Sequence, residues 1–148
     1  MADMMKRVPV AEQEPKVRAK NFEEVCLGYT EKEAMEEAVR CLNCRNPKCV
    51  VGCPVSIQIN EFIHEVKEGN FEKAAEIIAR SSALPAVCGR VCPQETQCEG
   101  VCIRGIKGEP VAIGKLERFV ADWAREHGFQ AAKAGEPNGK KVAVIGAG

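Results

Sequence analysis

Nine cysteines are the residues of this 148-residue chain whose type and spacing could do chemistry. Eight of them fall into two tight groups. The first group reads C-x2-C-x4-C-x3-C and ends before Pro54, and the second reads C-x3-C-x5-C-x3-C, with Pro93 after its second cysteine. In chain order, the nine are Cys26, Cys41, Cys44, Cys49, Cys53, Cys88, Cys92, Cys98 and Cys102. Such clustering is typical of metal binding or of disulfides.

Three chemistries could explain the two groups. Disulfides need an oxidising compartment, but the chain begins without the apolar stretch of a secretory signal, and its cysteine count is odd. Zinc sites favour paired C-x2-4-C knuckles or added histidines. Only Cys41 and Cys44 form such a knuckle, and His64 and His127 lie far from any cysteine at ligand spacing. Iron–sulfur clusters fit best, because each corner iron takes one thiolate and one short loop can carry several.

Both groups contain a cysteine followed by proline, Cys53-Pro54 and Cys92-Pro93. In bacterial ferredoxin sequences the cysteine before proline commonly serves the other of two clusters. Proline also fixes the backbone and turns the chain away from the cluster. The sequence therefore predicts two 4Fe-4S clusters that exchange ligands, with backbone N–H groups pointing at sulfur. Cys26 is left as a small residue outside both groups.

Four helices are predicted to position these cysteines in an all-α domain. A capping box at Thr30–Glu33 begins a helix of about three turns, which delivers Cys41 and Cys44 at its C-terminal end. Apolar spacing and glycine or proline stops predict the other three helices, at residues 57–69, 70–82 and 113–127. We expect the second cysteine group to lie in loops or short turns. Residues 1–20 are expected to form a mobile or loosely packed N-terminal arm.

The C-terminal residues resemble the start of another domain. Residues 130–139 contain glycine and proline and predict a linker. Residues 140–148 then predict a buried strand, Val142 to Ile145, followed by half of a G-x-G-x-x-G turn. Gly146 and Gly148 would let the backbone approach a dinucleotide pyrophosphate. We expect the natural chain to continue into a flavin or nicotinamide domain, and the tail from Gly139 to be irregular without its sheet partners.

Composition excludes several classes of function. Lys and Arg total 21 and Asp and Glu total 21, so the zero net charge predicts no nucleic-acid partner. No apolar run approaches the ~20 residues of a membrane helix, and we expect a cytoplasmic protein. We find no nucleophile–base pair, so this stretch should not break bonds by itself.

Basic residues crowd the cysteine loops, where they could offset cluster charge, dock an acidic partner or form a solvated rim: Arg40, Arg45, Lys48, Arg90 and Arg104.

Over roughly residues 21–148, the sequence resembles the N-terminal iron–sulfur domain of the glutamate synthase small subunit. The same module opens dihydropyrimidine dehydrogenase and the large subunit of the electron-bifurcating NADH-dependent reduced ferredoxin:NADP oxidoreductase. The motifs that carry the resemblance are CLNC (41–44), Cys49, GCP (52–54), CGRVCP (88–93), CEGVC (98–102) and PVAIGKLERF (110–119). The resemblance implies a helical two-cluster domain at residues 21–129, followed by FAD- and NAD(P)H-binding domains.

The resemblance also implies a function and a division of the ligands. Electrons would pass between FAD/NAD(P)H domains of the same chain and a partner subunit, such as a glutamate synthase large subunit or a ferredoxin-linked flavoprotein. One cluster would be held by four thiolates: Cys41, Cys44, Cys49 and Cys102. The other would be held by Cys53, Cys92, Cys98 and a carboxylate, Glu117, which leaves Cys88 spare. Spacing alone does not choose between Cys88 and Glu117, although Glu117 lies at the edge of an apolar helix stripe.

Overall fold

The computed structural model describes residues 3–130 and 135–146. Within these residues the chain is mostly helical, as predicted, with one small antiparallel sheet that was not predicted. The helices are α1 (Pro15–Arg18), α2 (Glu31–Val39), α3 (Lys48–Val51), α4 (Ile59–Lys67), α5 (Phe71–Ala79), α6 (Pro85–Val91) and α7 (Ile113–Glu126). The strands are β1 (Ala11–Glu12) and β2 (Cys26–Gly28), and 3-10 helices span Gln94–Thr96 and Ile103–Ile106.

The capping box that was predicted at the start of α2 is confirmed. The Glu33 backbone N–H donates to Thr30 Oγ1, and the Thr30 N–H donates to Glu33 Oε2 at 2.8 Å. This pair satisfies two of the backbone donors that a helix start leaves free. The helix ends at Val39, so Cys41 follows its last turn directly.

The core lies between α4, α5 and α7, whose apolar residues recur with helical spacing and are buried. Gly69 adopts φ +77°, a left-handed conformation that glycine adopts without strain, and so separates α4 from α5. Phe71 of α5 meets Phe119 of α7 edge to face, with ring centroids 5.1 Å apart. These contacts fix α7, the helix that carries Glu117.

The second cysteine group differs from its prediction. Cys88 lies inside helix α6 and not in a loop, and Cys92 is the residue that ends this helix. Pro85, which was expected to end the preceding helix, instead begins α6. Proline is well placed there, because its missing N–H would have no intrahelical partner at a first turn. Helix α5 has already ended at Ala79.

The N-terminal arm also differs from its prediction, because residues 5–13 are packed against the helical domain. Val8 and Val10 contact the core, and the Tyr29 hydroxyl donates to the Val8 carbonyl at 2.7 Å. Strand β1 pairs with β2, and the Gln13 N–H extends this pairing to the Val25 carbonyl at 2.9 Å. The arm is therefore held by side chains and by main chain.

Residues 135–146 contain no strand, and Val142, Val144 and Ile145 are exposed. The strand predicted at Val142 to Ile145 is therefore not formed in the described residues, and this segment is irregular. Its role as the start of another domain stays a prediction. Gly146 has φ +82°, whereas Gly148 lies outside the described residues, as does much of the predicted linker. None of the helices in the described ranges is both long and apolar enough to cross a membrane.

Candidate metal centre

Four of the predicted thiol ligands line one pocket, which we call the first pocket. Cys41 and Cys44 lie in the loop after α2, Cys49 lies in α3, and Cys102 precedes the second 3-10 helix. Cys102 lies more than fifty residues further along the chain than Cys49, and the fold brings it close to the other three cysteines. The four cysteines implied by the resemblance to share one cluster are therefore neighbours in this structure.

The loop of the first pocket is shaped by Asn43, which adopts φ +46°. Asparagine is among the few residues other than glycine that tolerate this left-handed conformation. The backbone at Asn43 lowers the pKa of the Cys41 thiol, and the backbone at Val50 lowers that of the Cys49 thiol, each against a larger opposite effect of burial. These effects favour the prediction of backbone N–H···S hydrogen bonds to a bound cluster, which stays a prediction. Such bonds stabilise a thiolate and tune the potential of a cluster bound to it.

Burial makes the thiols of the first pocket reluctant to ionise on their own. Burial, with smaller contributions from the nearby charges of Cys102 and Cys41, raises the pKa of Cys49 to about 11. Burial likewise raises the pKa of Cys41, with smaller contributions from Cys102 and Cys44. Because metal ligation requires thiolates, these protons must leave when a cationic metal or cluster binds.

The other predicted ligands also lie together, in a region we call the second pocket. Cys53 and Glu117 both act on the pKa values of Cys92 and Cys98. Burial, with a smaller contribution from the Glu99 carboxylate, raises the pKa of Cys98 to about 12. These side chains are therefore near enough for their charges to affect one another, and the ligand set that the resemblance implied for this region stays a prediction.

Glu117 has the properties of a ligand that lacks its partner. Its side chain is buried on α7, with the residue only 8% exposed, and Oε1 has no hydrogen-bond partner. Burial alone raises its pKa to about 7. A buried carboxylate without a partner is costly unless it is neutralised or binds a cation. The residue therefore fits an iron corner of the second pocket, and the prediction that α7 turns it inward is confirmed.

Cys88 lies beside the second pocket and is a fifth group that could bind metal there. Its thiol contacts the Cys92 thiol, and Ser82 Oγ lies 3.9 Å from its sulfur. Cys26 lies elsewhere, on β2, where the Lys115 ammonium is 3.6 Å from its sulfur. The geometry thus separates Cys26 from both pockets but leaves Cys88 as a competitor of Glu117.

The spacing of these groups differs from that of a single-ion site. Among residues 3–130 and 135–146, no three or more His, Cys, Asp or Glu side chains stand close enough to hold one metal ion between them. A 4Fe-4S cluster presents four separate irons, so its ligands bind different atoms and do not converge on one point. The two pockets are compatible with that arrangement.

Comparisons with known proteins agree with this geometry. The family model for dihydropyrimidine dehydrogenase domain II, 4Fe-4S cluster, matches residues 18–129. This chain belongs to that family of 4Fe-4S domains. The chain is 40% identical over 145 residues, 97% of its length, to the glutamate synthase [NADPH] small chain of Escherichia coli K12. It is also 40% identical over 127 residues, 86% of its length, to the NAD-dependent dihydropyrimidine dehydrogenase subunit PreT of the same organism.

Membership gives the oxidoreductase context but not the whole activity. The chain spans 31% of the length of each of these two relatives. What it shares with them is the cysteine-rich domain that the family model describes as a 4Fe-4S unit. The resemblance seen in the sequence is therefore confirmed at the level of the family.

Close helix packing in the second pocket depends on a glycine that the sequence did not single out. A Cβ on Gly89 of α6 would lie 2.6 Å from the Arg118 backbone nitrogen of α7. Real carbon atoms do not approach so closely, so α6 and α7 can cross here only because residue 89 has no side chain. In the sequence, a glycine inside a helix and between two cysteines could have indicated this close packing.

Two of the basic residues noted in the sequence are not free cations. Arg40 is fully buried and forms an ion pair with Glu37, and Arg90 bonds Glu24 and Asp122 across α6 and α7. The charge of Arg40 is therefore paired in the interior, whereas that of Arg90 is paired at a partly exposed site. Charged residues usually indicate a solvated surface, so the sequence alone does not reveal the buried partner of Arg40.

Proposed function

We propose that this chain is an electron-transfer module that binds two 4Fe-4S clusters. The observation that carries the proposal is the pocket lined by four thiols, together with the buried Glu117 carboxylate, which lacks a hydrogen-bond partner at Oε1 and lies near a second group of thiols. The first cluster would be held by Cys41, Cys44, Cys49 and Cys102. The second would be held by Cys53, Cys92, Cys98 and Glu117. When bound, such clusters supply one-electron transfer, while the protein supplies ligands, burial and hydrogen bonds to sulfur.

We also propose where the electrons come from. In a longer chain, residues 140–148 would begin an FAD-binding domain, with Gly146 and Gly148 in its phosphate-binding turn. Electrons from NAD(P)H would reach that flavin and then this module. The names of two relatives, the glutamate synthase [NADPH] small chain and the NAD-dependent dihydropyrimidine dehydrogenase subunit PreT, include a nicotinamide nucleotide, which supports electron exchange with such a cofactor. The protein would work in the cytoplasm, where free thiols stay reduced.

A partner subunit would receive the electrons at the mouth of the first pocket. Exposed apolar residues, Leu42, Val101 and Ile103, line this pocket together with Lys48 and Arg104. Apart from the buried Arg40, residues 38–60, which include most of its loop, contain two basic residues, Arg45 and Lys48, and no acidic residue. An apolar surface with a basic rim suits an acidic redox partner, for example a second flavoprotein subunit.

Anaerobic purification followed by iron, zinc and acid-labile sulfide analysis tests the cofactor. We expect about eight irons and eight sulfides per chain, as two 4Fe-4S clusters require. A colourless protein with stoichiometric zinc and no sulfide would instead make it a zinc-stabilised interaction domain.

The eighth ligand is tested by comparing Glu117→Ala with Cys88→Ala by electron paramagnetic resonance. We expect Glu117→Ala to abolish or change the signal of one cluster and Cys88→Ala to leave both. Cys26→Ala is the matched control, because Cys26 lies outside both pockets. The ligand assignment is wrong if Cys88→Ala destroys one cluster while Glu117→Ala spares both.

A further inference from the structure

The N-terminal segment at residues 5–13, which we call the strap, crosses the part of the fold that joins the two pockets. The Met5 carbonyl accepts from the Glu109 N–H at 2.8 Å, and the Arg7 N–H donates to Glu109 Oε2 at 2.6 Å. A Cβ on Gly108 would lie 2.6 Å from the Met5 carbonyl oxygen, so the strap lies directly on this turn. Residues 108–110 connect the loop of Cys98 and Cys102 to helix α7.

Arg7 provides the centre of these contacts. Its guanidinium donates through Nε to the Pro110 carbonyl at 2.8 Å and through Nη2 to Glu99 Oε2 at 2.5 Å. The Arg7 side chain is 35% exposed, whereas the Glu99 side chain is 7% exposed. A charge-assisted bond to a buried carboxylate is stronger than a solvent-exposed ion pair. One arginine thus holds the chain on both sides of the turn.

Glu99, the partner of Arg7, lies in the loop that carries two of the proposed ligands. It follows Cys98 and lies three residues before Cys102, so its loop carries one proposed ligand of each pocket. Its second oxygen, Oε1, accepts the Gly114 N–H at 3.0 Å. Gly114 is in the first turn of α7, and Glu117 follows one turn later. The Glu99 carboxylate therefore ties the cysteine loop to the helix that presents Glu117.

A second carboxylate repeats this arrangement near the first pocket. Glu37 accepts the Val8 N–H at 2.7 Å and the Ala112 N–H at 2.8 Å. It also accepts from Arg40, which donates to the Glu109 and Pro110 carbonyls and precedes Cys41. The strap therefore bonds two buried carboxylates, each of which also accepts a backbone N–H from the start of α7.

We propose that the strap is a positioning element of both metal centres, with Arg7 and Glu99 as the latch that holds the Cys98–Cys102 loop against α7. This inference rests on the proposed ligand roles of Cys98, Cys102 and Glu117. Arg7 and Glu99 touch no cluster atom in this role; they fix the distance between ligands that come from separate segments. Partners that orient metal ligands in this way typically change metal affinity ten- to hundredfold when they are removed.

The test uses anaerobically purified protein with its clusters and compares Arg7→Gln, Arg7→Lys and Glu99→Gln with the natural sequence. The readouts are the rate of iron release to a ferrous chelator and the electron paramagnetic resonance spectrum of each reduced cluster. We expect iron release to be about tenfold to a hundredfold faster in Arg7→Gln and Glu99→Gln, with a changed spectrum of the second cluster. Arg7→Lys should recover only part of this loss, because one ammonium cannot copy the two-sided guanidinium contact.

Two control variants separate positioning from general stability. Arg18→Gln removes an exposed arginine of the same N-terminal region, and we expect no change in release rate or spectrum. Ile78→Val shortens a buried side chain of α5, and we expect an unchanged spectrum. The proposal is wrong if Arg7→Gln matches the natural sequence in both readouts, or if Ile78→Val produces the same spectral change.

Hydrogen exchange distinguishes failure of the latch from failure of the proposed function. If the protein carries no iron–sulfur cluster, the proposed function fails, but the Gly114 amide still reports on the latch. We expect this amide to exchange at least tenfold faster in Glu99→Gln and in Arg7→Gln. Equal protection in all three proteins would overturn the latch whatever metal the protein contains.

Discussion

The proposed ligand sets of the two pockets are similar in size but differ in how the chain supplies them. Three of the four proposed ligands of the first pocket lie within nine residues, 41–49, in one loop and a short helix. The proposed ligands of the second pocket come from four separate segments, at Cys53, Cys92, Cys98 and Glu117. The first pocket is therefore largely a local structure, whereas the second exists only when α6 and α7 are packed together.

The difference also extends to the chemistry of the ligands. The first pocket is all thiol, and its loop carries only basic charged residues. The second pocket includes a carboxylate, which would be a harder ligand than a thiolate, and α7 also carries Asp122, which pairs with Arg90 and Arg118. We infer that disturbances of helix packing will affect the second pocket first, while loss of the charges around α2 will affect the first.

The largest effect is expected when the buried charge beside the first pocket is left unpaired. Arg40→Met removes the partner of Glu37, and neither side chain is exposed. Breaking such a pair from one side typically costs 3–5 kcal/mol of unfolding free energy. Because Arg40 precedes Cys41 and its carbonyl accepts from Arg104 Nε at 2.7 Å, we expect the first cluster to be lost before the second. Urea unfolding and cluster-resolved spectra measure both effects.

The matched control is Arg40→Met combined with Glu37→Gln. Neutralising both partners should recover part of the lost free energy, because no uncompensated charge then remains buried. Equal losses of unfolding free energy in the single and double variants would show that the unpaired charge of Glu37 is not the cause of the loss.

The next effect concerns the pH dependence of the second pocket in reduced, metal-free protein. The pKa of Glu117 is raised to about 7 in the folded state, compared with about 4.3 in an unfolded chain. The folded state therefore holds this proton more tightly, and its stability falls as pH rises from about 4.3 to 7. The total is about 4 kcal/mol, since one pKa unit corresponds to ~1.4 kcal/mol.

Glu117→Gln should remove this fall, and urea unfolding at several pH values measures it. The first pocket offers the contrast, because the pKa of Cys49 at about 11 keeps that thiol protonated throughout this range. Cys49→Ser should therefore leave the shape of the pH profile as it is. A fall of the same size in the Glu117→Gln protein would show that another group carries the pH dependence.

The local character of the first pocket explains how much the sequence could predict. The capping box, the end of α2 and the C-x2-C loop are all encoded within a few residues, so α2 and the first ligands were predictable. The resemblance implied the partners of Cys53 and the role of Glu117, whereas spacing did not, because these depend on how α6 crosses α7. The strap was not predictable either, since Arg7 and Glu99 are 92 residues apart and each has the composition of a surface residue.

A smaller effect is expected from Gly89→Ala, which tests the helix crossing directly. The added Cβ would meet the Arg118 backbone nitrogen at 2.6 Å and force α6 away from α7. Overpacking of this kind costs about 1–3 kcal/mol, and we expect the second cluster to be lost while the first is kept. Spectra of the two clusters and urea unfolding provide the measurement.

Gly105→Ala is the matched control near the first pocket. Its added carbon would meet Pro110 at 3.6 Å, which is ordinary contact, so both clusters should remain. If Gly89→Ala kept both clusters as well, the second pocket would not depend on this crossing, and the contrast between the pockets would be lost.

The smallest effect is expected from the exposed ion pairs that surround the second pocket. Arg90 bonds Glu24 at 2.8 Å and Asp122 at 2.7 Å, and its side chain is 27% exposed. The hydrogen bond that Arg90 donates to Glu24, followed by the one it donates to Asp122, raises the pKa of Arg90 well above its usual value, so the guanidinium stays charged. Solvent screening keeps such pairs to about 0.2–1 kcal/mol. Arg90→Gln should therefore lower the unfolding free energy by less than 1 kcal/mol and leave both clusters in place.

Salt dependence separates this exposed pairing from the buried pair of Glu37 and Arg40. At an ionic strength of about 1 M the Debye length falls to ~3 Å, so the effect of Arg90→Gln should nearly vanish, while that of Arg40→Met should persist. Arg125→Gln is the comparison variant, because Arg125 is also an exposed arginine that pairs with Asp122. It should show the same salt dependence as Arg90→Gln, with a smaller loss of unfolding free energy. A loss at Arg90 that survives high salt would mean that this guanidinium acts through packing of α6 on α7. The second pocket would then depend on Arg90 for its packing, just as we expect the first pocket to depend on Arg40.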